Sequence, residues 1–136
     1  MKRSFRDGQY TIERLEGWLL KAIIEGPFGE RAADSFAQWV SLMANFYPQA
    51  QYMIIDASNI GPVASSRIGS QLEAAVIGGN IGGFSVYGGK QMRRNLAELA
   101  TGWEKNPQIA VRDDETAARQ FLKDLHTQQL PTPPGT

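Results

Sequence analysis

The chain has 136 residues, the length of one domain, and a chain of this size buries about two-thirds of its unfolded surface, enough for a core without covalent staples. It carries no cysteine and one histidine, His126, which excludes disulfides, cysteine nucleophiles and thiolate or multi-histidine metal sites. Lys+Arg and Asp+Glu number 14 each, so the net charge is zero and the basic excess of a generic nucleic-acid binder is missing.

In chain order, Met1-Lys2-Arg3-Ser4-Phe5-Arg6-Asp7 has positive charge but no apolar run behind it, so it does not read as a signal peptide. No stretch reaches the roughly 18 apolar residues of a membrane span, and cytoplasmic residence without membrane insertion is the expectation. Tyr10-Thr11-Ile12-Glu13 alternates apolar and polar residues, as a half-buried strand does. Glu16-Gly17 reads as a turn, and residues 18–24 are apolar and branched with Lys21 as the break, so a hairpin follows. Gly26-Pro27 ends it. Residues 29–47 read as a helix with Phe36, Trp39, Val40, Met43 and Tyr47 as its apolar stripe, closed by Pro48.

Tyr52-Met53-Ile54-Ile55 fits a buried strand ending at Asp56, with Asn59, Gly61 and Pro62 in the loop beyond. A second helix starts at Ser65 or Ser66, with Ile68, Leu72, Ala75 and Val76 as its stripe, and Gly78-Gly79-Asn80 stops it. Gly83-Phe84-Ser85-Val86-Tyr87 is the next strand. Gly88-Gly89 leads into a third helix over residues 90–104, with Leu96, Leu99, Ala100 and Trp103 on its stripe. Residues 108–111 form a last short strand. Asp113 is placed to cap the final helix, whose stripe is Ala118, Phe121, Leu122 and Leu125. The Pro-rich end, residues 127–136, reads as a frayed tail. The order β-β-α-β-α-β-α-β-α predicts an α/β domain over residues 8–126: a mostly parallel, mixed five-stranded sheet with about four helices.

Several residue sets are candidates for chemistry, each beside a simpler role. Hydroxyls at Ser65 and Ser66, next to Arg67, sit where a phosphate would meet free helix amides, and equally where serine caps a helix. Gly89 with Lys90, Arg93 and Arg94 is a candidate anion site, although the spacing matches neither a P-loop nor a dinucleotide fingerprint and a solvated basic face is simpler. Gly78, Gly79, Gly82 and Gly83 suit the end of one element and the start of the next. Trp18, Trp39, Phe84 and Trp103 are candidates to line an apolar ligand pocket, while Trp39 and Trp103 also have core spacing and Trp18 could mark a dimer surface. Asp56 suits a turn, His126 a helix end, and Asp113, Asp114 and Glu115 a helix start. No Ser–His–acid set or carboxylate pair emerges, so neither enzyme activity, nor a cofactor, nor a metal is expected.

The element order, with Ile54-Ile55-Asp56-Ala57-Ser58-Asn59-Ile60 and the Ser65-Ser66 pair, resembles the STAS domain of anti-sigma-factor antagonists of the SpoIIAA type. Phe84-Ser85-Val86-Tyr87-Gly88-Gly89, Ile109-Ala110-Val111-Arg112 and Asp113-Asp114-Glu115-Thr116-Ala117 resemble the SpoIIAA-like branch of single-domain bacterial proteins. In the antagonists a loop reading Asp-Ser-Ser-Gly or Asp-Ser-Thr-Gly carries the phosphoacceptor. Here the matching positions are Ala64, Ser65, Ser66 and Arg67, a degenerate form with Ser65 at the acceptor. The resemblance implies a regulatory, protein-binding module whose partner is a kinase or an anti-sigma factor. The alternative is a carrier of a small apolar or lipid-like ligand, as in the similar CRAL-TRIO fold. The number of large aromatics for one small core adds a homodimer to the expectations.

Overall fold

Alternating apolar and polar positions build the antiparallel pair β2 (Gly8–Glu16) and β3 (Leu19–Gly26), joined at the Gly17 turn. The computed structural model describes residues 2–61, 67–78, 81–97 and 102–129, with the backbone alone for residues 67, 68, 71 and 77. After the hairpin come α1 (Glu30–Phe46), β4 (Gln51–Ile60), α2 (Arg67–Ile77), β5 (Ile81–Tyr87), α3 (Lys90–Asn95), β6 (Ile109–Arg112) and α4 (Glu115–Gln129). A further strand, β1 (Lys2–Phe5), precedes the hairpin and pairs antiparallel with β2, from Lys2 opposite Thr11 to Phe5 opposite Gly8. The sheet therefore has six strands rather than five, in the order of the chain. β1 is hard to read because it is short and basic. Only Arg3 and Phe5 turn inward, Arg3 over the Trp39 ring and Phe5 stacked on Tyr10. Charge of this kind is a common device for an edge strand.

From β3 onward each neighbouring pair is parallel and each crossover carries a helix. Right-handed crossovers advancing in one direction put their helices on one face of the sheet. The main core lies there, with Phe36 and Val40 of α1, Leu72 and Val76 of α2 and Met92 of α3 against Ile12, Leu20, Met53, Ile55, Phe84 and Val86. α4 makes no return to the sheet and covers the other face, where Ala118, Leu122 and Leu125 bury Leu19, Tyr52, Ile54 and Tyr87. Being covered on both faces explains the unbroken apolar run in β4. α4 packs on β4, β5 and β6. The same face of β2 and β3 carries Thr11, Glu13, Lys21 and Glu25, which suits the polar side of an antiparallel pair.

Other boundaries also move. β4 continues through Asp56 to Ile60. The helical stretch expected over 90–104 is interrupted: α3 ends at Asn95, where Leu96 leaves helical torsions (φ −108°, ψ 12°), and helical backbone returns at residues 97 and 102–103. Trp103, at the end of that second helical piece, enters the core, and a turn at 104–106 follows it. Leu99 and Ala100, expected on that helix, lie outside the described residues. Asp114, not Asp113, caps α4: its Oδ1 accepts from the Ala117 amide at 2.8 Å. α4 extends past residue 126 to Gln129. A Cβ at Gly82 would collide with the Tyr52 ring, and one at Gly83 with Leu125 and the Gln108 carbonyl, so these two glycines serve close packing. Among the described residues no helix is long and apolar enough to cross a membrane.

The start of α1 depends on a distant residue. Its N-cap, Gly29, has no side chain to offer. Asp7, in the β1–β2 turn, supplies the cap instead: Oδ2 accepts from Arg31 N at 2.9 Å and Oδ1 from Ala32 N at 3.2 Å. A Cβ on Gly29 would meet the Asp7 side chain, so the glycine makes room for the cap. Next to it Phe28 has φ 50°, a left-handed conformation costing about 1–2 kcal/mol. Complete burial of its ring, edge-on to Phe36 at 5.7 Å, offsets that cost.

Candidate functional site

α1 has more apolar residues than the sheet can cover. Phe36, Val40 and Ala44 point into the core. Trp39, Leu42 and Phe46 lie on the next stripe round, three or four residues apart, on one flank of the helix. α2 packs beside α1 on the other flank. The flank bearing Trp39 looks toward β1, the sheet edge, since Arg3 of β1 reaches that ring. Leu42 is left 60 % exposed and Phe46 79 %, the two large apolar side chains most open to water among the described residues. With Trp39, Met43 and Tyr47 they line a groove of about 290 Å³.

The groove has an ordered wall and a cationic rim. Trp39, Met43 and Tyr47 are half-buried against the core, which fixes their positions. The Phe46 and Tyr47 rings meet edge-on at 5.2 Å. The Arg3 guanidinium lies 5.1 Å from the centre of the Trp39 ring, and that of Arg14 lies 3.8 Å from Tyr47. Arg14 is further held by donating to the Gly17 carbonyl at 3.0 Å. Lys21–Glu115, Arg93–Asp113 and Arg119–Glu115 pair elsewhere, and among the described residues neither rim guanidinium has a carboxylate within ion-pair distance. The arrangement presents apolar surface with positive charge on its border.

The polar groups at the carboxyl ends of the parallel strands satisfy one another. Tyr87 faces the Asp56 carboxylate, whose Oδ1 accepts from Ser58 N at 2.9 Å. Burial, then the negative charges of Asp56 and Glu115, push the Tyr87 phenol well above its ordinary range. Glu115 takes Lys21 at 3.4 Å and Arg119 at 3.1 Å. Burial also raises the Tyr52 phenol, which donates to the Gln129 side chain. Among the described residues no group of three or more His, Cys, Asp and Glu side chains could hold a metal ion.

The residues singled out from sequence are dispersed. Ser65 and Ser66 lie outside the described residues, and Arg67 opens α2 with only its backbone described. Gly89 is the N-cap of α3, whose six residues include Lys90, Arg93 and Arg94. Lys90 and Arg94 are exposed, and Arg93 Nε is tied to Asp113 Oδ1 at 2.7 Å. Phe84 and Trp103 pack edge-on at 5.4 Å inside the main core, where the indole donates to the Gly69 carbonyl at 3.3 Å. Trp18 lies on the opposite face, stacked on His126 at 4.5 Å, and Trp39 borders the α1 groove. The four aromatic candidates thus occupy three separate regions and do not line one pocket. Leu42, Phe46, Arg3 and Arg14 were not legible as a group. Removing the core stripe from α1 and asking which apolar residues remain would have exposed the first two. Comparison of the chain with known protein families finds no matching family, and comparison with curated proteins finds no match.

Proposed function

We propose that the chain is a non-enzymatic, STAS-like interaction module that binds a protein partner through the α1 groove. The observation that carries this reading is the exposure of Leu42 and Phe46 beside an otherwise ordered apolar wall. Fully burying a Leu or Phe side chain is worth about 1.5–3 kcal/mol, so both residues together form a useful anchor for association. Leaving them in water has no stabilising role within the monomer. The pairing of Glu115 with Lys21 and Arg119, and of Asp56 with the Ser58 amide, supports a module without catalysis, because no base or nucleophile among them is left poised. A sheet with a leading antiparallel pair and three parallel crossovers supports the STAS-like part of the reading.

The test is site-specific photo-crosslinking in the cells that make the protein. A photoreactive residue in place of Phe46 should give a discrete heteromeric adduct. The same residue in place of Gln38, exposed on the polar side of the same helix, should not. Equal or absent adducts at the two positions would defeat the proposal.

A further inference from the structure

The chemistry of the groove restricts what can cover it. A second copy of the chain, docked α1 against α1 about a two-fold axis, would bring the rims together and set arginine against arginine. The adjoining edge strand adds exposed Lys2, and Arg6 follows it. Like charges facing each other across an interface are disfavoured, and no carboxylate of the described residues lies within ion-pair distance of Arg3 or Arg14 to offset them. A neutral apolar segment would fill the groove but would cover two cations without compensating them. A guanidinium stacked on an aromatic ring still offers N–H donors to a carboxylate (in Arg14, those not given to the Gly17 carbonyl), and the ring restricts its position before the partner arrives.

On the reading that the α1 groove is a protein-binding site, we propose that its occupant is an acidic amphipathic segment of another protein. Its apolar side chains seat against Leu42 and Phe46, and its Asp or Glu carboxylates reach the guanidiniums of Arg3 and Arg14. The apolar contacts set the lifetime of the complex. The charges set its orientation and its salt dependence.

The experiment is selection of short random peptides displayed on phage against the full chain, followed by fluorescence anisotropy on the peptides that emerge. The enriched peptides should combine Asp or Glu with Leu, Phe or Trp. Their affinity should fall with added salt, drop by roughly tenfold or more in an Arg3→Glu/Arg14→Glu variant, and vanish in Phe46→Glu. Phe46 is largely in solvent, so its substitution should leave the melting curve unchanged; if it does not, Leu42→Glu takes its place. Enriched peptides that lack acids, ignore the arginine reversal and still fail on Phe46→Glu would overturn the acidic partner while leaving the groove as a binding site. Peptides indifferent to both Phe46→Glu and Leu42→Glu would overturn the groove itself. A wild-type dimer in light scattering that Phe46→Glu turns into a monomer would name a second copy as the occupant and overturn the proposal.

Discussion

Two grooves of similar size run along two helices, and their chemistry is opposite. The one beside α4, about 340 Å³, is lined by Glu115, Thr116, Arg119, Gln120 and Lys123. The one beside α1, about 290 Å³, is lined by Trp39, Leu42, Met43, Phe46 and Tyr47. Both arise for the same reason: each helix lies at a margin of its layer, and among the described residues no further helix covers one flank. On α4 that flank is polar, Glu115 and Arg119 are paired, and water is a sufficient neighbour. On α1 it is apolar, and water is a poor one. The presence of a groove therefore says little, whereas the mismatch between a groove and its solvent is what the proposed interaction surface on the α1 flank rests on.

The sharpest way to break this comparison lies within α1. Phe36 and Phe46 are the same residue type on one helix, the first fully buried and the second 79 % exposed. Phe36→Ala should cost about 3–5 kcal/mol in urea unfolding, since it removes a ring packed against Tyr10 and Phe28. Phe46→Ala should stay within about 0.5 kcal/mol. A large loss at Phe46 would mean that the monomer needs this side chain, and the argument for an external partner would fail. Next in size is the remote cap. Asp7→Ala should cost about 1–2 kcal/mol, with faster hydrogen exchange at the Arg31 and Ala32 amides that Asp7 now binds. No change in that exchange would show that α1 does not need β1 and its turn to hold its start.

The contrast between what could and could not be read from sequence follows the range of the interactions. The strands β2 to β6 and the helices were legible because hydrophobic periodicity is local: Met53 and Ile55 against Tyr52 and Ile54, or Ala118, Leu122 and Leu125 on one side of α4. β1 was missed because its pairing partner, not its composition, makes Lys2-Arg3-Ser4-Phe5 a strand. The α1 cap was missed because Asp7 is some twenty residues upstream of the helix it caps. The candidate site failed in the same way. Trp39 sits on a helical stripe and read as core, but whether Leu42 and Phe46 are covered depends on what lies beside α1 in space. Arg3 and Arg14 acquire their role only through the ring each one faces. His126, read as a bare helix end, is held between Trp18 and Tyr52 across the sheet.

On the α4 side, pH sharpens the comparison. Tyr87 holds its proton more tightly in the folded chain than the ordinary value of about 10. Above that pH the unfolded chain sheds a phenolic proton that the folded chain retains, so unfolding is increasingly favoured as pH rises. Below it the contribution is fully present. Wild type should therefore lose stability more steeply above about pH 10 than Tyr87→Phe, measured by urea unfolding across the alkaline range. Parallel curves would place the alkaline loss elsewhere.

The smallest effect is expected at Glu115, where the polar groove meets the sheet. Its side chain is 41 % exposed and its partners stand at 3.4 and 3.1 Å, so solvent screens both pairs. Glu115→Gln should cost less than about 1 kcal/mol, with the difference fading as salt is added. The screened value matters because α4 has another means of attachment in Ala118, Leu122 and Leu125, packed on Tyr52 and Ile54. If apolar burial alone holds α4 down, its charged flank is free to face water and the contrast with α1 stands. A salt-resistant loss above about 2 kcal/mol would make the Lys21–Glu115–Arg119 set a structural clamp instead. The α4 groove would then be part of the mechanism that holds the helix to the sheet, and it could no longer serve as the solvent-matched reference against which the α1 groove stands out.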